Sequence, residues 1–155
     1  MKYRVCKAFE IESGHMLLKH PGRCRYPHGH SRRVEVVVSC EKLDERDMVC
    51  DFKTIKLALA SMLDRYDHAL IVNAEDPLLA CLQEELKERV IVFEGEDPTT
   101  EVLARRIYEH LSGEIAAGRE FVDAEGERYA LPQDLVLERV RVGETSTSWG
   151  EYGID

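Results

Sequence analysis

HGHSRRVEVVVSC, residues 28–40, decides the fold, because it reads as one strand with metal-ligand side chains at its start. A period of two puts His28, His30, Val34, Val36, Val38 and Cys40 on one face, so two imidazoles sit at the end of an apolar surface. Toward the N-terminus, YRVCKAFEIESGH (3–15) repeats the pattern, with Tyr3, Val5, Phe9 and Ile11 sharing parity with His15. Both strands would therefore carry their histidines to the rim of a buried sheet surface. Gly29 would let the backbone come close to a ligand. Three imidazoles and the Cys24 thiol fall within sixteen residues. Catalytic zinc commonly keeps three protein ligands and an open fourth position, and three histidines fit that kind of site. A His-x-His pair is also common on surfaces that bind nothing.

Toward the C-terminus, Asp51 is placed to cap a helix from Phe52 to Tyr66, with Ile55, Leu59, Met62, Leu63 and Tyr66 at helical spacing. Asp67-His68 follows where that helix ends, which suits a dipole-complementing cap as well as a proton-transfer pair. PLLACLQEELKER (77–89) reads as a short helix and VIVF (90–93) as a brief buried strand. Thr99, after Pro98, can cap a further helix striped by Val102, Leu103, Ile107, Tyr108 and Leu111, with Gly113 or Gly118 as its stop. FVDAEGERYAL has a turn at Glu125-Gly126 that suggests a hairpin. LVLERVRVGET (135–145) places Val136, Val140, Val142 and Glu144 on one parity, so Glu144 ends an apolar strand face as His15 does. Strands at both ends and helices between them point to an α+β fold, with two longer helices on one face of an antiparallel sheet. Residues 1–155 read as a single domain.

The net charge of −9 argues against a general nucleic-acid binder, since phosphate backbones are held by clustered cations. Lys19, Arg23, Arg25, Arg32 and Arg33 nevertheless gather around the histidines, either to meet a small anion or as solvated strand ends. No apolar run is long enough to span a bilayer, and MKYRVCKAFE is unlike a signal peptide, so a cytoplasmic protein without a membrane partner is expected. The five cysteines include no Cys-x-x-Cys pair. Cys6, Cys40, Cys50 and Cys81 read as small core hydrophobes. Cys24, flanked by Arg23 and Arg25 and four residues before His28, is the best candidate thiolate. His20 and His110 are expected on the surface.

The pieces FEIESGH, Cys24 before His28-Gly29-His30, Val49-Cys50-Asp51-Phe52, Asp67-His68, Pro98-Thr99-Thr100-Glu101 and Glu144-Thr145 together resemble the 6-pyruvoyl- and 6-carboxy-tetrahydropterin synthase family. They follow the family order across nearly the whole chain. The resemblance implies the tunnelling fold, in which sheets from several subunits join into a barrel and paired rings form a homohexamer with sites between subunits. It implies Zn2+ on His15, His28 and His30, Cys24 as the proton-abstracting base, and Asp67 with His68 as a second acid/base element. Thr99, Thr100, Glu101 and Glu144 would hold the pterin ring. The implied substrate is 7,8-dihydroneopterin triphosphate, with Arg23, Arg25 or Lys53 as possible phosphate partners. The three residues between Cys24 and His28 resemble the bacterial 6-carboxy-tetrahydropterin synthases of queuosine biosynthesis, which release acetaldehyde and triphosphate. The alternatives are the pyruvoyl-type reaction, which releases triphosphate alone, and a non-catalytic zinc- or pterin-binding protein.

Overall fold

Two long strands form the middle of the sheet, as their alternating apolar residues require. In the computed structural model, which describes residues 1–155, β1 (Tyr3–His15) and β2 (His28–Cys40) pair antiparallel from Tyr3 opposite Cys40 to His15 opposite His28. The inner face of β2 is buried at Val34, Val36, Val38 and Cys40, and that of β1 at Ile11, Ser13 and His15. Toward the start of β1 the face emerges from the core: Phe9 and Val5 are half-buried at its margin and Tyr3 is exposed.

Helices α1 (Phe52–Tyr66) and α3 (Thr100–Ala116) cover this inner face. The Asp51 carboxylate accepts the Lys53 N–H at 2.8 Å and the Thr99 hydroxyl accepts the Val102 N–H at 3.3 Å, so both expected caps form. Ile55, Leu59 and Leu63 of α1 meet Leu103, Ile107 and Leu111 of α3 in one core, each side chain contributing about 2 kcal/mol by leaving water. α3 passes through Gly113 and stops before Gly118, whose φ of 57° is the left-handed geometry of a helix end.

Two strands were not apparent from the sequence pattern. Ala69–Asn73 forms β3, and Ser148–Gly153 forms the outermost strand, β8. Four residues of β3 are buried, so it lacks the alternation that marks a half-exposed strand, and only the turn Asp67-His68 separates it from α1. It lies parallel to the end of β1 and, through α2 (Leu79–Leu86), parallel to β4 (Val90–Phe93). A βαβ unit is thus joined to an otherwise antiparallel sheet of order β4-β3-β1-β2-β7-β8, with β7 spanning Val136–Thr145. α2 is shorter than the 77–89 expectation and continues as a tight turn over Lys87–Arg89.

The segment between α3 and β7 forms a small hairpin, β5 (Glu120–Val122) and β6 (Arg128–Ala130), turning at Gly126. Lys53 of α1 lashes this hairpin down: its ammonium bonds Asp123 and lies 5.1 Å from the centre of the Tyr129 ring. It is therefore occupied away from the histidines. Cys40 and Cys50 are buried as expected, but Cys6 and Cys81 are exposed. His20 is exposed, whereas His110 is half-buried with Nε2 3.1 Å from the Ala58 carbonyl. No helix is long and apolar enough to cross a membrane.

Candidate functional site

The register at the β1–β2 end brings His15, His28 and His30 together. His15 Nδ1 lies 2.8 Å from the Pro98 carbonyl, and His28 Nδ1 lies 2.8 Å from the Tyr26 carbonyl. A carbonyl only accepts, so both Nδ1 atoms carry the proton and both Nε2 atoms present lone pairs. The two lone pairs face each other, with His15 Nε2 2.9 Å from His28 Nε2, and His30 Nε2 lies 3.2 Å from His15 Nε2. Facing lone pairs repel unless a cation lies between them, and backbone-anchored imidazoles are how proteins orient metal ligands. The donor atoms of His15, His28, His30 and Glu144 all lie within 4.8 Å of one another, so this cluster can hold a metal ion. Burial pushes the His15 pKa down to about 4, with the Arg32 charge adding to the effect, and burial lowers that of His30 too. Both are neutral, and thus competent to ligate, at pH 7.

Sequence reasoning grouped Arg32 with the basic residues around the histidines and left it between an anion contact and a solvated strand end. It is neither, being 1% exposed on the same inner face as His28 and His30. Its guanidinium donates to Ser13 Oγ at 3.0 Å, Thr100 Oγ1 at 2.9 Å and Glu144 Oε2 at 2.8 Å. It also packs 3.2 Å from His15 Nδ1, a contact without a hydrogen bond because that nitrogen's proton goes to Pro98. The available signal was the parity of Arg32 with His30 and Val34. Burial opposes the charged form of Glu144, but the Thr100 hydroxyl and the Arg32 charge outweigh it and hold the carboxyl below its ordinary range. The other oxygen, Oε1, faces the histidines and lies 3.0 Å from His30 Nε2.

Beside the cluster is a cavity of about 300 Å³, lined by His15, Thr99, Thr100, Glu101, Glu144 and Trp149 among others. All four residues assigned to ring binding by resemblance line this one space. It lies where β8 crosses the start of α3 closely: a Cβ on Gly150 would sit 3.0 Å from the Glu101 nitrogen. Trp149, on the strand that sequence reasoning missed, forms one wall and stacks under the Arg141 guanidinium at 3.8 Å. Gly29 plays a different part from the one expected. It faces away from the cluster, and a Cβ there would meet the β1 backbone at Ser13 O, 3.4 Å away.

Asp67 ends α1 and His68 follows in the left-handed region with φ of 55°. Asp67 Oδ1 accepts the Glu12 N–H at 2.8 Å while Oδ2 lies 3.2 Å from His68 Nδ1. The Glu12 amide first, and then His68, hold the Asp67 carboxyl below its usual range. The His68 ring is 74% exposed and shares a second cavity, of about 400 Å³, with His30, Glu12 and Ser31. Cys24 lies in a tight turn over Arg23–Arg25, half-buried, and lines neither cavity. Arg23 and Arg25 are exposed, and Arg25 donates to the Leu18 carbonyl at 3.3 Å. The chain thus gathers the three histidines with Thr99, Thr100, Glu101 and Glu144, sets His68 at the far side of His30, and leaves Cys24 outside both spaces.

Fold and site together define a protein with a histidine-rich cluster able to hold a metal ion beside a carboxylate-lined cavity. The chain belongs to the 6-pyruvoyl tetrahydropterin synthase family, whose model matches residues 4–154. It is 29% identical to a 6-carboxy-5,6,7,8-tetrahydropterin synthase of Aquifex aeolicus over 98% of both chains. It is 31% identical to one of Rickettsia bellii over 72% of this chain and 79% of that one. Among solved structures, an uncharacterised protein from Wolinella succinogenes superposes with a TM-score of 0.78 at 20% identity, covering 100% of this chain and 99% of that one. The 6-pyruvoyl tetrahydropterin synthase of Caenorhabditis elegans gives 0.64 at 17% identity, covering 100% and 97%. The fold is the tunnelling fold expected from the resemblance.

Proposed function

We propose that the chain is a zinc-dependent lyase converting 7,8-dihydroneopterin triphosphate to 6-carboxy-5,6,7,8-tetrahydropterin with release of acetaldehyde and triphosphate, in queuosine formation in the cytoplasm. The observation that carries this reading is the set of converging Nε2 atoms beside the cavity of Glu144. Zinc held by His15, His28 and His30 would supply Lewis acidity to the substrate's side-chain oxygens. Glu144 accepts N–H groups from the amino-pyrimidinone edge of the ring, for which a carboxylate is the complementary partner. Thr99, Thr100 and Glu101, at the start of α3, complete the ring's surroundings. His68, oriented by Asp67, moves a proton on the side of the cluster away from the ring cavity.

Cys24 acts as the base in this scheme, and its position outside both cavities of its own chain suits a site completed by a second copy. Two edges are free for such pairing. Residues 3–12 of β1 have β2 on one side only, and β8 ends the sheet at the other. An edge of one copy against the opposite edge of the next generates a ring, with a homohexamer as two stacked rings. Residues 1–155 act as one domain within that assembly.

The pyruvoyl-type reaction is the second reading, favoured by solved neighbours such as the Caenorhabditis elegans enzyme, whereas the relatives from Aquifex aeolicus and Rickettsia bellii bear the carboxy name. Mass spectrometry of products after incubating metal-loaded protein with 7,8-dihydroneopterin triphosphate separates them. A 6-carboxy-tetrahydropterin mass with acetaldehyde is expected. A 6-pyruvoyl mass would replace the first reading with the second, and no conversion by metal-loaded protein would leave a binding protein.

A further inference from the structure

Arg32 is a full charge placed in the core. Its side chain is 0% exposed, and it is the largest of the chain's fully buried side chains. A buried ion pair stabilises a fold little more than well-packed apolar residues of similar size would, so the presence of Arg32 calls for another reason. Its neighbours all belong to the site. One Nη contacts Thr100 and Glu144, and the other faces the His15 ring. Ser13, directly opposite His30 in the β1–β2 register, holds Nε. These contacts fix the guanidinium plane from three elements: β1, α3 and the end of β7.

We propose that Arg32 is the positioning residue for Glu144, holding Oε2 so that the carboxylate stays fixed in the wall of the ring cavity, with Oε1 on the side of the histidines. This rests on the reading of Glu144 as the ring anchor. Arg32 does not line the ring cavity. It sets the orientation of the group that does, and the planar fork of arginine suits this task better than a point charge. Removing it would leave Oε2 of the half-buried Glu144 held by Thr100 alone, and the carboxylate free to turn about Oε1, which lies 3.0 Å from His30 Nε2.

The test is a double-mutant cycle on metal-loaded protein, with dissociation constants for a 2-amino-4-oxopterin such as biopterin read by fluorescence, together with metal content and KM and kcat. Arg32→Met is expected to weaken binding at least about thirtyfold, as loss of one partner of a buried charge pair does. Metal content stays unchanged, and KM rises more than kcat falls. In a Glu144→Gln background the same substitution should change affinity by less than about threefold, because Arg32 acts through Glu144. Arg32→Lys, which keeps the charge and much of the bulk, should fold and recover part of the affinity, and it serves as the test if Arg32→Met does not fold. Full affinity in Arg32→Met or Arg32→Lys, equal losses in both backgrounds, or loss of metal would overturn the proposal. If the parent protein itself bound no pterin, the anchor reading of Glu144 would fail first.

Discussion

Without its metal, the protein should lose stability as the pH falls through the range where free histidine titrates, and His15 should account for much of the loss. Its imidazole is 1% exposed and its pKa is pushed from 6.5 to about 4. The unfolded chain therefore takes up a proton near the ordinary value, while the folded chain resists until near 4. Between those values the unfolded state binds more protons, so lowering the pH favours unfolding, and the effect levels off below the folded value. At about pH 5 the unfolded group is about 1.5 pH units below its midpoint while the folded group is still largely neutral. At about 1.4 kcal/mol per unit, the loss relative to about pH 7.5 is roughly 2 kcal/mol. Urea unfolding followed by circular dichroism in the presence of chelator, at several pH values across this interval, measures it. A His15→Gln variant lacks this titration, while His30 and the carboxylates contribute to both proteins. The parent should lose roughly 2 kcal/mol more than the variant. Parallel pH dependences in the two proteins would refute the assignment of a buried, neutral His15.

Further outcomes follow from other positions. His28→Ala should lose bound metal while keeping the fold, and full metal occupancy by elemental analysis would remove it from the ligand set. Cys24→Ala should retain metal and pterin affinity but lose most turnover, and an unchanged steady-state rate would exclude it as the base. Glycine adopts the left-handed backbone of His68 freely, so His68→Gly should leave thermal stability within about 1 kcal/mol of the parent while turnover falls. Turnover at the parental rate would remove His68 from proton transfer. Gly150→Ala puts a methyl group 3.0 Å from the Glu101 nitrogen, so β8 must shift and pterin affinity should drop about tenfold or more. An unaltered dissociation constant would show that the cavity does not depend on that close crossing.

Parity made the inner face of β2 and the end of β1 legible, because side chains alternate whatever the tertiary context. The caps at Asp51 and Thr99 were legible for a similar reason, since their hydrogen bonds are local. β3 was hidden because four of its five residues are buried, which erases alternation, and β8 because its exposed residues show none. The three histidines could be grouped from spacing, but the tautomer of His15 could not be read: Pro98, which fixes it, lies 83 residues away. Arg32 was misjudged because arginine is rarely buried without a partner, and its partners Thr100 and Glu144 lie 68 and 112 residues along the chain. Lys53 was open to assignment as a phosphate contact only until Asp123 was seen to occupy it.

The two halves of the site differ in how much chain they require. All three imidazoles are present once residue 30 has been made, on two strands that pair with each other across a twelve-residue connection. The ring cavity needs the start of α3, the end of β7 and Gly150, so it cannot close until almost the whole chain has been synthesised. Short-range closure costs little chain entropy and long-range closure costs more. A nascent chain would therefore expose a metal-chelating hairpin long before it could hold a pterin. Local loosening of β8 in the finished protein would release the ring while leaving the histidine cluster intact.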